Sequence, residues 1–231
     1  MAGGKRLLPL LIVEIALMLA VIGAILFGAA GTLDWPSGWG FLIEFGLLSL
    51  AVSLWLLAVD PALLEERMKP IVRRRQKSWD RVFMVVIGLG FAGWLAVMGF
   101  DARRIGWSEM SPSLQALGSV LILFAFLGIA WVYRTNSFAS PVVRVQDERE
   151  HKVVTGGPYA LVRHPMYAFA MFLFVGAPLM TGSWWALALA PLGALGVAVR
   201  AVGEERVLEK ELEGYEAYAR RVRWRLAPGV W

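Results

Sequence analysis

Residues 167–199 read YAFAMFLFVGAPLMTGSWWALALAPLGALGVAV, 33 residues without one charged side chain. As a single helix rising about 1.5 Å per residue, this stretch would be roughly 50 Å long, well over the ~30 Å hydrocarbon core of a bilayer. Near its middle, Pro178 is followed by Thr181-Gly182-Ser183, residue types that punctuate helices. The stretch therefore reads as a helical hairpin with two short arms. Charge supports the hairpin. A single crossing would put the basic tail beyond Arg200 on the opposite side of the membrane from the other basic segments.

Working outward, four more segments are long and apolar enough to span: Leu7–Gly31, Trp39–Val59, Val82–Phe100 and Leu114–Tyr133. Hydrophobic residues make up 58% of the chain, which fits a polytopic membrane protein and not a soluble domain. Leu7–Gly31 is longer than a signal-peptide core and lacks a clear cleavage signal, so it reads as a retained first helix. The expected fold is all-α: a polytopic membrane helix bundle of four spans plus a C-terminal hairpin. It forms one domain over residues 1–231, with a four-span part at 1–133 and a ligand-binding part at 134–231.

Cations set the orientation. The Asp60–Arg81 loop carries seven Lys/Arg, among them Arg73, Arg74 and Arg75; residues 134–166 carry five and the tail from Arg200 seven. The alternate connections, near Asp34 and at Asp101–Glu109, hold only Arg103 and Arg104. The positive-inside rule then makes the termini and the basic loops cytoplasmic. The net charge of +5 is accounted for by this topology and by anionic lipid heads, with no nucleic acid. The chain has no cysteine and only two histidines, His151 and His164. That excludes disulfides and thiolate chemistry and leaves too few ligands for a typical zinc site. Trp35, Trp39, Trp107, Trp184 and Trp185 fall near the outer boundary and read as an interfacial belt. Glu14 and Glu44 lie inside spans and are expected to face the bundle or to pair, Glu14 with Arg6 or a loop arginine.

Polar chemistry gathers on the cytoplasmic side of the C-terminal half. Gly156-Gly157-Pro158 forces a turn before Tyr159. Pro165 disfavours a helical His164 and suits the first turn of a new helix. The new helix should begin at Pro165 or Met166, with its free N–H groups beside Arg163 and His164, a site that attracts a carboxylate. Beyond the apolar run, Arg200 and Glu204 lie four apart on one helical face, and residues 204–212 read as an amphipathic helix. The hairpin returns Arg200 and Glu204 to the level of His164 and Tyr167. The arrangement suits a zwitterion with a carboxylate, an ammonium or sulfonium, and a ribose. Glu204 would take the ammonium or the ribose hydroxyls, and Tyr159 or Tyr167 would flank the sulfonium or a base. Arg163 is expected as a snorkelling anchor, Glu205 at the surface or behind the site, and Tyr215 and Tyr218 as residues that dock a tail helix.

The pattern His151-x-Val-Val-Thr-x-Gly-Pro-Tyr159, Arg163-His-Pro-Met-Tyr167, Arg200-x-x-x-Glu204-Glu205 and Tyr215-x-x-Tyr218 resembles the isoprenylcysteine carboxyl methyltransferase family. That family belongs to a wider group of membrane methyltransferases that includes the phospholipid methyltransferases. The match is strong over about residues 140–225. Asp60-Pro-Ala-Leu-Leu-Glu-Glu-Arg67 and Lys77-Ser-Trp-Asp80 also resemble bacterial members. The resemblance implies S-adenosylmethionine as methyl donor in a cytoplasmic-side pocket, in a multi-pass protein of a bacterial or archaeal plasma membrane. By matched position, the cofactor residues would be Gln146, His151, Lys152, Val153, Val154, Tyr159, His164, Pro165, Met166, Tyr167 and Glu204. Arg200 would hold the acceptor, a lipophilic molecule for which the carboxylate of an isoprenylcysteine-like substrate is one candidate. Two other functions carry some of the same features. One is an NADPH-dependent sterol-type membrane reductase, which shares the Arg-His-Pro and Glu-Glu pattern but usually has more spans. The other is a non-enzymatic transporter or scaffold, which would more often show polar residues or broken helices mid-span.

Overall fold

In the computed structural model, residues 2–70 and 76–231 are described. Arg73, Arg74 and Arg75 of the basic loop lie outside the described residues, as does the side chain of Arg6. Nine α-helices are described: α1 (Ala2–Ala30), α2 (Pro36–Val59), α3 (Pro61–Met68), α4 (Ser78–Gly99), α5 (Pro112–Thr135), α6 (Pro165–Thr181), α7 (Trp184–Ala188), α8 (Ala190–Glu211) and α9 (Tyr215–Arg221). No strand occurs among the described residues. Proline opens α2, α3, α5 and α6, where its missing N–H costs no hydrogen bond and its fixed φ suits the helix. Asp60 caps α3 by accepting from the Leu63 N–H at 3.0 Å, and a π-helical turn, Phe100–Ile105, extends α4.

Five helical segments are long and apolar enough to cross a membrane: 7–30, 36–59, 78–105, 112–135 and 184–211. The protein is a multi-pass membrane bundle, and its large apolar side chains are displayed outward. Leu17, Val21, Leu47, Leu89, Leu127 and Leu192 are all more than half exposed, as lipid-facing positions must be. Inside, Ile22, Leu26, Phe41, Leu95, Met98 and Ile122 form the main core. Glycine sets the closest helix contacts. A Cβ on Gly99 would stand 2.2 Å from the Leu26 carbonyl oxygen, which brings α4 onto α1. A Cβ on Gly118 would stand 2.4 Å from the Met180 nitrogen, and one on Gly176 2.8 Å from the Gly118 oxygen. α5 and α6 therefore meet backbone to backbone, the small-residue contact that drives association where lipid supplies no hydrophobic force.

The hairpin turns at Gly182, whose φ of 88° ends α6 in the left-handed region that glycine adopts without penalty. Ser183 caps the next helix, accepting from the Ala186 N–H, and its hydroxyl donates to Asp101 at 2.6 Å. The two arms are unequal, which corrects the expectation of two short ones. α6 has 17 residues, but α7 and α8 run to Glu211. Helix propensity does not stop where apolarity does, so the amphipathic stretch 204–211 continues the same helix. One boundary expectation also fails. Trp35 is 5% exposed and packs edge-on against Phe27 inside the core, so it does not stand in a belt with Trp39, Trp107, Trp184 and Trp185, which are exposed. Glu14 is exposed and lies within electrostatic reach of Arg67; its other expected partner, Arg6, has its side chain outside the described residues. Glu44 does find a partner, accepting from the Ser119 hydroxyl of α5 at 2.6 Å.

Candidate active site

The start of α4, the ends of α2, α5 and α8 and the start of α6 meet at one end of the bundle. Three buried carboxylates hold that end together. Asp80, fully buried, accepts from the Gln76 side chain at 2.7 Å, from the Val143 N–H at 3.1 Å and from Arg200 Nε at 3.4 Å. Glu66, 1% exposed, pairs with Lys69 at 2.9 Å and Arg144 Nη2 at 3.0 Å. Glu205, 3% exposed, receives Arg163 Nε at 2.7 Å, Arg225 Nε at 2.8 Å and His164 Nε2 at 3.1 Å. Asp80 and Glu66 tie the 138–146 segment to α4 and α3. Glu205 ties the head of α6 and the tail to α8. Arg163 also donates to the carbonyls of Ala219 and Val222, while the Arg163 and His164 N–H groups donate to the Trp224 and Arg225 carbonyls. Arg163 is therefore an internal clamp and not a snorkelling anchor, and Glu205 is not a surface residue. The pairing and hydrogen bonds offset the cost of taking these charges out of water, and removing any one partner would leave the others buried without a counter-charge.

These supports enclose a cavity. His151, Lys152, Val153 and Val154 border it on one side, with Tyr159, His164, Pro165, Met166 and Tyr167 below and Glu204 of α8 opposite. The chain thus brings to one place every residue named from the motifs except Gln146 and Arg200. Gln146 is fully buried behind the wall. Its amide donates to the Phe138 carbonyl at 2.8 Å and accepts from Arg149 at 2.8 Å, and its backbone N–H donates to His151 Nδ1 at 3.4 Å. Arg200 also stands behind the wall. Its guanidinium lies 5.8 Å from the centroid of the Tyr167 ring and donates to Asp80 and to the Pro141 carbonyl. Segment 136–144 supplies wall residues that no motif flagged, namely Asn136, Phe138, Val142, Val143 and Arg144, and α8 adds Leu208 and Leu212. The only signal for them was their place just upstream of Gln146.

The polar groups are arranged with direction. Tyr167 donates to Glu204 Oε2 at 2.7 Å and stacks parallel to His164, 8° between planes with centroids 5.5 Å apart. His164 faces both glutamates, with Nδ1 3.8 Å from Glu204 and Nε2 on Glu205. Asn136 donates to the Tyr159 hydroxyl at 2.8 Å, and Tyr218 donates to the Tyr159 carbonyl at 2.9 Å. Tyr215 and Tyr218 dock the tail helix on Leu212 and Val222, as their spacing implies. Burial raises the pKa of Tyr159 and Tyr218, so both are neutral donors near neutral pH. Burial lowers His151 to about 4. The neutral ring accepts at Nδ1 and stacks on Phe138 with centroids 4.5 Å apart. Burial alone would lower the pKa of Arg144, but bonds to Glu148 and Glu66 outweigh it and the net direction is up. Two buried polar atoms on cavity-lining side chains have no partner: Arg144 Nε and the Tyr215 hydroxyl. Buried polar groups are seldom left so. Among the described residues no three or more His, Asp or Glu side chains come together as a metal site needs.

Residues 114–213 match the phospholipid methyltransferase family. Over 131 residues the chain is 29% identical to the cobalt-zinc-cadmium resistance protein CzcN of Cupriavidus metallidurans; the match covers 55% of each, so the chain spans about half the length of this curated relative. The fold is similar to that of the eukaryotic intramembrane Ras methyltransferase, an isoprenylcysteine carboxyl methyltransferase. The superposition covers 94% of this chain and 75% of that one, with a TM-score of 0.51 and 17% sequence identity. At that identity the likeness is one of fold. The family match spans the Arg-His-Pro and Glu-Glu motifs that the methyltransferase and reductase readings had shared.

Proposed function

We propose that this chain is a membrane methyltransferase of the kind its family match and fold resemble, and that it takes its methyl group from S-adenosylmethionine bound in the cavity between the 136–167 segment and α8. The acceptor is a lipophilic molecule that approaches from the side of Arg200. The observation that carries this reading is the convergence of His151–Val154, Tyr159 and His164–Tyr167 with Glu204 of α8 on one cavity.

The wall fits the cofactor's chemistry. Among the described residues Glu204 Oε1 makes no hydrogen bond, while Oε2 is fixed by Tyr167; an ammonium or ribose hydroxyls would complete it. Arg144 Nε and the Tyr215 hydroxyl lack acceptors, which the oxygens of a carboxylate or ribose would supply. Phe138, Val142, Val153 and Leu208 offer apolar faces for a base. When bound, the cofactor supplies a sulfonium methyl that is already electrophilic.

What remains for the protein is orientation and exclusion of water. Tyr167 and His164, stacked and anchored through Glu204 and Glu205, form a rigid floor. Among the described residues Arg200 Nη1 makes no hydrogen bond while its other nitrogens engage Asp80 and Pro141, which supports a role in orienting an anionic acceptor. A carboxylate acceptor is ionised at neutral pH and needs no base; an amine would have to lose a proton first. The excess of lysine and arginine at this end supports a cytoplasmic site and cytoplasmic termini.

Calorimetry on detergent-purified protein tests the cofactor assignment. Wild type should bind S-adenosylmethionine, and Glu204→Gln should weaken binding at least tenfold. A well-folded wild type that does not bind, with NADPH titrated beside it, would overturn the assignment.

A further inference from the structure

A second depression lies at the same end of the molecule, on the outer surface between the start of α4 and the last turns of α8. It shares no lining residue with the cavity. α8 presents Glu204, Leu208 and Leu212 to one and a different stripe to the other. That second stripe runs Leu195, Val199, Val202, Arg206 and Lys210, spaced four, three, four and four, so it follows one face of the helix. The stripe changes character along its length. Leu195 and Val199 are more than half exposed and apolar. Arg206 and Lys210 are exposed and have no ion pair or hydrogen bond among the described residues. Trp79 of α4 forms the other wall. It lies so close to Gly203 that a Cβ there would come within 2.5 Å of the indole, and only glycine permits that approach. Lys77 completes the rim, paired with Glu211 at 2.5 Å, so three cations face one carboxylate.

We propose that this groove seats one anionic phospholipid of the leaflet at the active-site end, with an acyl chain along Leu195, Val199 and Val202 and the phosphate on Arg206 and Lys210. The dimensions select a lipid. Eleven residues separate Leu195 from Arg206, about 16 Å of helix, and one leaflet contributes roughly 15 Å of hydrocarbon. The cations therefore begin where the acyl chains of one leaflet end. A free phosphate would make no use of the apolar trough, and a zwitterionic lipid would bring its own ammonium beside the two cations.

Native mass spectrometry of the full chain in detergent tests this, with phosphatidylglycerol, phosphatidylcholine of the same acyl chains, and inorganic phosphate as probes. Wild type should retain one phosphatidylglycerol in preference to phosphatidylcholine. The double variant Arg206→Gln/Lys210→Gln should lose phosphatidylglycerol affinity about 30-fold, as removal of two surface cations implies, and bind both lipids alike. Neither side chain has a partner among the described residues, so folding should be unchanged, which gel filtration checks. The control Arg221→Gln/Arg223→Gln removes two exposed cations elsewhere at the same end and should leave retention as in wild type. Equal loss in the control would make the attraction diffuse and overturn the seat. So would equal retention of the two lipids by wild type, or displacement of the lipid by millimolar phosphate alone.

Discussion

Glu204 and Glu205 are neighbours in sequence with opposite duties, and replacing each with glutamine separates them. Glu205 is 4% exposed in its side chain and faces Arg163 at 9% and His164 at 5%. Glu205→Gln keeps the shape and one accepting oxygen but leaves the Arg163 guanidinium buried without its counter-charge. Removing one partner of a buried pair outright is destabilising by about 3–5 kcal/mol. Arg225, at 32% exposure, is screened by solvent and adds little. Glutamine retains part of the hydrogen bonding, so the expected loss is about 2–4 kcal/mol. For a chain of this size that is on the order of 5–12 °C in apparent Tm. Glu204 is 28% exposed and holds one hydrogen bond, from Tyr167. Glu204→Gln should therefore lower stability by less than about 1 kcal/mol while removing S-adenosylmethionine binding. Thermal unfolding in detergent, followed by tryptophan fluorescence at a single scan rate because membrane bundles unfold irreversibly, gives the stability order; calorimetry gives binding. If Glu205→Gln melts with wild type, or if Glu204→Gln is the more destabilising, the division of labour between the two glutamates is wrong.

Three further outcomes follow from the same geometry. Arg200→Ala should slow methyl transfer to an anionic acceptor tenfold or more while S-adenosylmethionine binding by calorimetry stays within about twofold; equal loss of both would remove its acceptor role. His151 is held neutral by burial down to about pH 4, below its ordinary value near 6.5. The unfolded chain therefore binds the extra proton first. The stability this contributes is complete above pH ~6.5 and is lost as pH falls towards 4; melting curves across that range should fall less steeply for His151→Phe than for wild type. Gly118→Leu drives a side chain into the Met180 backbone. It should be destabilising by ~3 kcal/mol or more, because backbone cannot step aside as a side chain can; a Tm unchanged from wild type would mean that α5 and α6 do not meet there.

Much of the fold could be read from the chain because a bilayer imposes a few blunt constraints. Length fixes what can span, and lysine and arginine counts fix which connections share a side. The uncharged run 167–199 could only be a hairpin once both were applied. What hydropathy does not carry is where a helix stops after leaving the apolar zone, so α8 runs on to Glu211 through residues that read as a separate amphipathic piece. Nor does it carry inward or outward facing within a uniformly apolar run. Trp35 was placed by zone, and its place was decided by a turn of the helix that hydropathy cannot resolve when every face is greasy.

The site divides along a different line. Side chains aimed into the cavity occur in short local patterns, such as His151-x-Val-Val and Arg163-His-Pro-Met-Tyr167, and these were visible. The groups that hold those patterns in place act across long separations: Asp80 on Val143 and Arg200, Glu66 on Arg144, Glu205 on Arg163. A buried carboxylate that clamps an arginine forty residues away has no local spacing to betray it. In sequence Glu205 and Arg163 look like ordinary boundary charges. Their functional weight comes from the pairing. Glu205 locks the head of α6, and the head of α6 sets His164 and Tyr167 against Glu204. Under the proposed function, the orientation that methyl transfer requires rests in part on Glu205, which does not line the cavity.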